Sequence, residues 1–374
     1  MKMITAVPIF NIMENQSKKR VVVGLSGGVD SSVSAALLKQ QGYEVIGATM
    51  KLWDKNYAAS GQKGACYGPG EKDDIEAAQK AANIIGIEHL VIDVSAEYKK
   101  YVLEYFKQEY LAGRTPNPCV MCNQKIKFGY LAQKIAEAGV KFDYFATGHY
   151  ARVIFDKEKN RYLLLRGKDE KKDQAYFLYR LSQEQLSQAI FPLGGYKKEE
   201  TRKMANELGL QDFANKEESQ DFVEGGDYSH IIGPQGQKSG KIIDMDGQIV
   251  GEHNGLSNFT IGQRKGLDIG GLSEPYYVIS LDVCKNQVTV GKKEDAFSNE
   301  FEIGQANWIA FSEPDKIIEA QVKTRSNGEL VDCKIIPQEG GARIELAKPS
   351  FAVTAGQSAV FYLGEIVLGG GIIK

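Results

Sequence analysis

A chain of 374 residues exceeds one ordinary hydrophobic core and implies two or three domains. With 43% hydrophobic and 25% charged residues it has the composition of a folded globular protein, which excludes disordered and fibrous classes. A net charge of −2 excludes wholesale attraction to nucleic acid, but 46 basic and 48 acidic residues leave room for local basic faces. No apolar run reaches the ~20 residues of a membrane-crossing helix. Met1–Ile12 lacks a cationic flank and cleavage site, and Met13 offers a second start. Residues 1–19 therefore read as a disordered extension, and the chain as a cytoplasmic monomer. Five cysteines in a chain of this length do not make a disulfide scaffold.

Taken in order, the apolar run Val21–Val23 predicts a buried strand, and helical spacing follows through Leu38. Glu44–Met50 reads as a second strand, Asn56–Gly70 as a Gly-rich loop, Asp73–Ile85 as a helix and His89–Val94 as a strand. Helices over Tyr98–Tyr110 and Ile126–Ala138 precede a strand at Tyr144–Thr147. Such alternation predicts an α/β domain over 20–214 with a parallel sheet, whose ligands sit beyond the carboxyl ends of the strands. Arg152–Arg166 reads as a hairpin, and Ser182–Phe191 and Lys197–Gly209 as helices. A small β-rich central domain is expected over 215–274. Turn-punctuated strands from Tyr277 predict a C-terminal β-barrel over 275–374.

Chemistry begins at Gly24-Leu25-Ser26-Gly27-Gly28-Val29-Asp30-Ser31-Ser32, where a strand turns into a helix. Paired glycines let backbone N–H groups approach a phosphate, the serines add hydroxyl donors, and the helix dipole favours an anion. No Gly-Lys-Ser/Thr follows, so the Walker A pattern is absent. A Gly/Ser turn alone is often only a turn. In this strand–turn–helix setting, Ser-Gly-Gly-Val-Asp-Ser resembles the PP-loop of the ATP pyrophosphatases, which cleave ATP to AMP and pyrophosphate. Met50 and Gly148-His149 fall at neighbouring strand ends; taken singly, Met50 could merely end a strand and His149 could be a core histidine.

The second stretch is Gly113-Arg114-Thr115-Pro116-Asn117-Pro118-Cys119-Val120-Met121-Cys122-Asn123. Its prolines hold the backbone extended before the first cysteine, and Cys-x-x-Cys at a helix start near lysines favours thiolates suited to sulfur or metal chemistry. Inert loop cysteines are the alternative. Cys284 and Cys333, in the β-rich part, read as packing thiols.

These motifs resemble, in order, the tRNA-specific 2-thiouridylase family: Ser26–Ser31, Asn117-Pro118-x-x-x-Cys122-Asn123, Gly148-His149-Tyr150, Lys172-Asp173-Gln174 and Thr260-x-Gly262-Gln263-Arg264-Lys265-Gly266. Thr354-x-Gly356-Gln357-Ser358 and Leu368–Ile373 resemble its closing barrel. The resemblance implies three domains and ATP-dependent replacement of oxygen by sulfur at C2 of the wobble uridine of tRNA, with Mg²⁺. It implies that Gly24, Leu25, Ser26, Gly27, Gly28, Val29, Asp30, Ser31, Met50 and Gly148 bind ATP, with Asp30 also counted among the catalytic residues. Asn117, Pro118 and Cys119 would lie against the target base, Cys122 would be the catalytic thiol, and Lys172, Asp173, Gln174, Arg325 and Ser326 would touch tRNA. The mixed run Lys168–Asp173 could equally be a solvated face.

One departure stands out. The family's second cysteine falls within Ser-Gln-Asp/Glu-Ile-Cys-Phe, and here the segment is Ser219-Gln220-Asp221-Phe222-Val223. Cys66, Cys119 and Cys122 remain. They could ligate a [4Fe–4S] cluster, carry a persulfide on one thiol with another resolving it, or bind zinc with His149 as a fourth ligand. The sulfur would come from a sulfur-carrier protein or free sulfide. Rival readings are a PP-loop amide ligation, which leaves the cysteines unexplained, and an inactive tRNA-binding relative, which leaves the phosphate turn unexplained.

Overall fold

Val21, Val22 and Val23 are wholly buried in the middle strand of a five-stranded sheet. The computed structural model describes residues 18–53, 65–214, 221–223, 228–270 and 274–374. Its catalytic part runs β1 (Arg20–Gly24), α1 (Val29–Gln40), β2 (Glu44–Lys51), β3 (Ala65–Tyr67), α2 (Glu71–Ile85) and β4 (Glu88–Asp93). Then come α3 (Ser95–Tyr98) and α4 (Glu104–Leu111), joined by a π-helical turn, and α5 (Pro118–Met121) and α6 (Ala132–Glu137), joined by another over Cys122–Leu131. β5 (Tyr144–Ala146), the hairpin β6 (Ala151–Asp156) and β7 (Arg161–Arg166), α7 (Gln183–Gln188), β8 (Ala189–Ile190), α8 (Lys198–Glu207) and α9 (Gln211–Ala214) complete it.

The sheet order is β4-β2-β1-β5-β8, every pair parallel. Strand order reverses between β1 and β5, so a crevice opens beyond their carboxyl ends. The phosphate turn and Gly148 both follow strands that flank this crevice. β9 (Asp221–Val223) pairs in parallel with β3, setting Tyr67 opposite Val223. That pairing places backbone structure inside the stretch expected to be wholly loop.

After α10 (Ser229–Ile232) the central sheet is built from β10 (Gly240–Ile243), β11 (Ile249–His253), β12 (Tyr277–Asp282) and β13 (Gln287–Gly291), in the order β11-β10-β13-β12. β12 and β13 were expected to open the barrel. Instead β13 pairs with β10 and β12 with β13, because Val278, Val288 and Val290 bury against Ile242 and Phe259. The barrel itself is β14 (Phe297–Trp308), β15 (Ile318–Lys323), β16 (Val331–Gln338), β17 (Gly341–Phe351), β18 (Ser358–Leu363) and β19 (Ile366–Ile373), closed by pairing of β14 with β19. β7 extends the sheet by pairing with β19, Leu164 against Val367 and Leu165 against Ile366. One buried cluster accordingly runs from Val22, Ile46 and Phe145 of the parallel sheet through Leu164 to Val360, Tyr362 and Val367 of the barrel. Catalytic domain and barrel share a core. Among the described residues no helix is long and apolar enough to cross a membrane.

Leu164→Ala tests this shared core. Its side chain has no exposed surface, so truncation should cost about 2–5 kcal/mol and lower the urea midpoint. An unchanged midpoint would mean the seam between hairpin and barrel contributes nothing to stability.

Candidate active site

The turn after β1 is ordered by its own hydroxyls. Ser26 N–H donates to Ser31 Oγ (3.2 Å), while Ser31 and Ser32 hydroxyls donate to the Gly28 carbonyl (3.1 and 2.9 Å). Gly27 has φ +72°, and a Cβ there would lie 2.5 Å from the Asp74 carbonyl of α2. Only glycine serves at that position. Gly148 abuts the same turn: a Cβ would come within 2.8 Å of Asp30 C and Ser31 N. The N–H groups at the start of α1 remain available to an anion.

Asp30, in the first turn of α1, is neutralised within the protein. Lys198 Nζ contacts its Oδ1 and Oδ2 at 2.8 and 2.7 Å, and the Tyr150 hydroxyl donates to Oδ1 at 3.0 Å. Lys198 is buried at the start of α8, and Tyr150 also lies 2.9 Å from Thr201 Oγ1. A bare carboxylate here would repel phosphates; paired with Lys198 it does not. Lys198 was not picked out from the sequence, because nothing in spacing links positions 168 residues apart. Both Asp30 oxygens contact Lys198, so Asp30 is not a free ligand for Mg²⁺ in this arrangement.

At the neighbouring strand ends, Met50 is half-buried, and Leu52 and Trp53 N–H groups donate to Glu71 Oε1, the second at 2.9 Å. Burial raises the Glu71 carboxyl above its ordinary value. Thr147 Oγ1 and His149 Nδ1 lie 2.7 Å apart. Burial, with the nearby Lys127 charge adding to it, holds His149 well below its ordinary value.

The cysteine segment is placed by all three domains. Arg114 grips Glu109 with two bonds of 2.7 Å, finishing α4. Thr115 N–H donates to the Ala355 carbonyl (2.9 Å), Gln357 Nε2 donates to the Thr115 and Pro116 carbonyls, and Thr115 Oγ1 donates to Thr260 Oγ1 (3.2 Å). Asn117 then caps α5, accepting from Val120 N–H, with Pro118 as the first helical residue. Cys119 and Cys122 are three apart on this helical run and share a face; Cys119 is exposed and Cys122 half-buried. Cys122 packs on the same buried cluster as Met50, Leu52 and Tyr67. Met50, from the strand end next to the turn, shares that cluster with Cys122, and Lys127 lies near His149, which follows the Gly148 that abuts the turn. Burial pushes Tyr105 up to about 12 and Tyr176 higher still, so the wall around Asn117 is aromatic and neutral. Asn123 is buried, donating to the Phe177 carbonyl (3.1 Å).

Several expected tRNA contacts have partners inside the protein. Asp173 accepts from Arg166 Nε and from the Gly167 and Ala175 N–H groups, and Gln174 Oε1 accepts from Tyr150 N–H. Arg325 Nη2 donates to the Ile261 and Ala352 carbonyls and to Thr354 Oγ1, tying central domain to barrel. Lys172 and Ser326 are half-buried. Among the described residues no three His, Cys, Asp or Glu side chains are grouped to hold a metal ion. The side chain of Cys66, on which the cluster reading depends, lies outside the described residues, as do Ser219 and Gln220. Cys333 is a packing thiol, pushed up to about 12 by burial. Cys284 is not, since it stands exposed in the turn after β12.

Two predictions test these placements. Lys198→Met strands the Asp30 carboxylate; breaking a buried pair costs ~3–5 kcal/mol, and with Asp30 28% exposed the loss should be about 1–3 kcal/mol, recovered largely in Asp30→Asn/Lys198→Met. Equal losses in single and double variants would show that charge pairing is not what holds the contact. For His149, the unfolded chain takes up a proton near pH 6.5 that the folded chain refuses, so stability falls as pH drops below about 6.5. His149→Gln should lose less of its urea midpoint than the native protein between about pH 7.5 and about pH 5.5; equal losses would contradict a neutral, half-buried imidazole.

Comparison with known proteins bears on the whole chain. Residues 19–224, 231–292 and 298–373 match family profiles described as tRNA methyl transferase HUP domain, tRNA methyl transferase PRC-barrel domain and aminomethyltransferase beta-barrel domain. The tRNA-specific 2-thiouridylase MnmA of Endomicrobium trichonymphae is 48% identical over 362 residues, covering 96% of this chain and 99% of its own length. The MnmA of Acetivibrio thermocellus is 43% identical over 365 residues, covering 96% and 100%. MnmA 1 of Caldanaerobacter subterraneus subsp. tengcongensis is 45% identical over 363 residues, covering 95% and 98%. With three domains matched in order and likeness over nearly its full length, this chain belongs to the tRNA-specific 2-thiouridylase family.

Proposed function

We propose that this protein replaces the 2-oxygen of the wobble uridine of tRNA by sulfur, using ATP. The observation that carries the reading is that Cys122 packs on one buried cluster with Met50, from the strand end next to the Gly/Ser turn whose Asp30 is paired with Lys198. A methyl transfer, which the profile descriptions name, would need neither an adenylating turn nor two cysteines on one helical face.

The uracil 2-oxygen is amide-like and leaves poorly. In the first step it attacks the α-phosphorus of ATP; an O–P bond forms, the bond to pyrophosphate breaks, and pyrophosphate leaves. The N–H groups at the start of α1 and the Ser26 hydroxyl hold the phosphates in line. Mg²⁺ bound on ATP would neutralise charge on the departing pyrophosphate. In the second step the outer sulfur of a cysteine persulfide attacks C2 and AMP departs with the original oxygen. A second thiolate then attacks the inner sulfur, forming a disulfide and leaving sulfur on C2, with the S–S electron pair passing to that sulfur. Cys119 and Cys122 suit these paired roles because they share one helical face. A sulfur-carrier protein bearing a persulfide recharges the site, after an external dithiol reduces the disulfide. Asn117, Pro118 and the neutral tyrosines hold the base against the helix without adding charge.

Purified protein, supplied with ATP, Mg²⁺, tRNA, a persulfide donor and a dithiol, should release AMP and pyrophosphate in step with 2-thiouridine. Cys119→Ala and Cys122→Ala should each lower 2-thiouridine formation by at least about 100-fold while ATP binding is unchanged. Full activity in both variants would refute the relay, and no 2-thiouridine from the native protein would refute the reaction.

A further inference from the structure

Between the catalytic and central domains lies a cleft of about 720 Å³, within the range of small-ligand sites. One wall is aromatic, formed by Tyr110 at the end of α4 and Tyr228 just before α10. Both rings are braced from behind. Tyr228 stacks on Phe222 (5.7 Å, 19°), and Phe106 packs edge-on against Tyr110 and Tyr228 at 4.7 and 5.0 Å. The cleft is also lined by the exposed amides of Gln237, Asn254 and Asn258. Serine and threonine hydroxyls fill the gaps, and among the described residues none that lines the cleft carries a charge.

Such walls do not suit a phosphate or a charged peptide, which need a counter-charge. They suit a flat, uncharged ring with donors and acceptors at its edge: tyrosine faces stack, and amides offer both hydrogen-bond senses. The cleft also lies beside the chemistry. Thr260 on its wall accepts from Thr115, and Thr115 leads through Pro116, Asn117 and Pro118 to Cys119.

We propose that the cleft holds a second unpaired nucleobase of the tRNA, from the loop that presents the target uridine, stacked on Tyr228 and read at its edge by Asn258 and Gln237. The proposal rests on the thiolation reading for the identity of the RNA, but binding alone tests it. The adenine of ATP has the same chemistry, so the experiment separates the two sources.

Anticodon stem-loop RNAs carrying 2-aminopurine at one loop position at a time, the target excluded, are titrated with the full chain. One position should lose fluorescence on binding, and Tyr228→Leu should abolish that loss; a melting curve confirms that the variant folds. Tyr228→Leu and Asn258→Ala, the latter an exposed side chain, should each raise KM for tRNA about 10-fold and leave KM for ATP unchanged. A raised KM for ATP with unchanged KM for tRNA would assign the cleft to adenine and overturn the proposal. So would the absence of any position-specific quenching. Quenching without formation of 2-thiouridine would support the cleft and refute the reaction, so the two failures are distinguishable.

Discussion

The extended stretch Gly113–Asn117 is clamped by three domains at once, and the position of the cysteines depends on that clamp. The barrel supplies the Ala355 carbonyl and the Gln357 amide, and the central domain supplies Thr260. A Cβ on Gly356 would sit 2.9 Å from Arg114 Cβ, so barrel and clamped segment are in close contact. Because prolines cannot complete a helix or sheet ladder, this stretch takes its hydrogen bonds from outside its own element. The helix that carries Cys119 begins, at Pro118, only where the clamp ends. Central domain and barrel therefore act on the site through the backbone as well as through any RNA contact of their own.

On the other side of the crevice the dominant effect is electrostatic. An anion site at a helix N-terminus is weakened by a carboxylate in the first turn, and Asp30 is such a carboxylate. Lys198 and Tyr150 answer it from α8 and from the segment after β5. The same network packs α8 against α1, so one set of contacts tunes the charge of the turn and fixes its position. Protonated tyrosines and a neutral His149 add no charge of their own on that side.

The motifs that resemble the family were legible because each is local. A phosphate turn needs glycines at fixed places between a strand and a helix, and a capped cysteine helix needs Asn117-Pro118 directly before Cys119. Period-2 and period-3.6 patterns likewise located most strands and helices of the parallel sheet. Long-range pairings were not legible. β14, with charges at Glu300 and Glu302 facing out, hid its alternation of Phe301 and Ile303, and β12–β13 gave no sign that β10 rather than the barrel would receive them. Lys172, Asp173, Gln174 and Arg325 read as surface contacts in a polar run, and only packing revealed the internal partners of Asp173, Gln174 and Arg325.

By itself the amino-acid order determined which short elements exist and which chemistry each could carry: an anion turn, a pair of thiols and a family pattern spanning the chain. Local backbone preferences and side-chain spacing suffice for that. Tertiary structure decided what those elements do to one another. It set Lys198 against Asp30, Lys127 near His149 and Gln357 on the segment before Cys119, contacts between positions separated in the chain. No periodicity encodes such contacts, because they arise only when separate buried faces share one core.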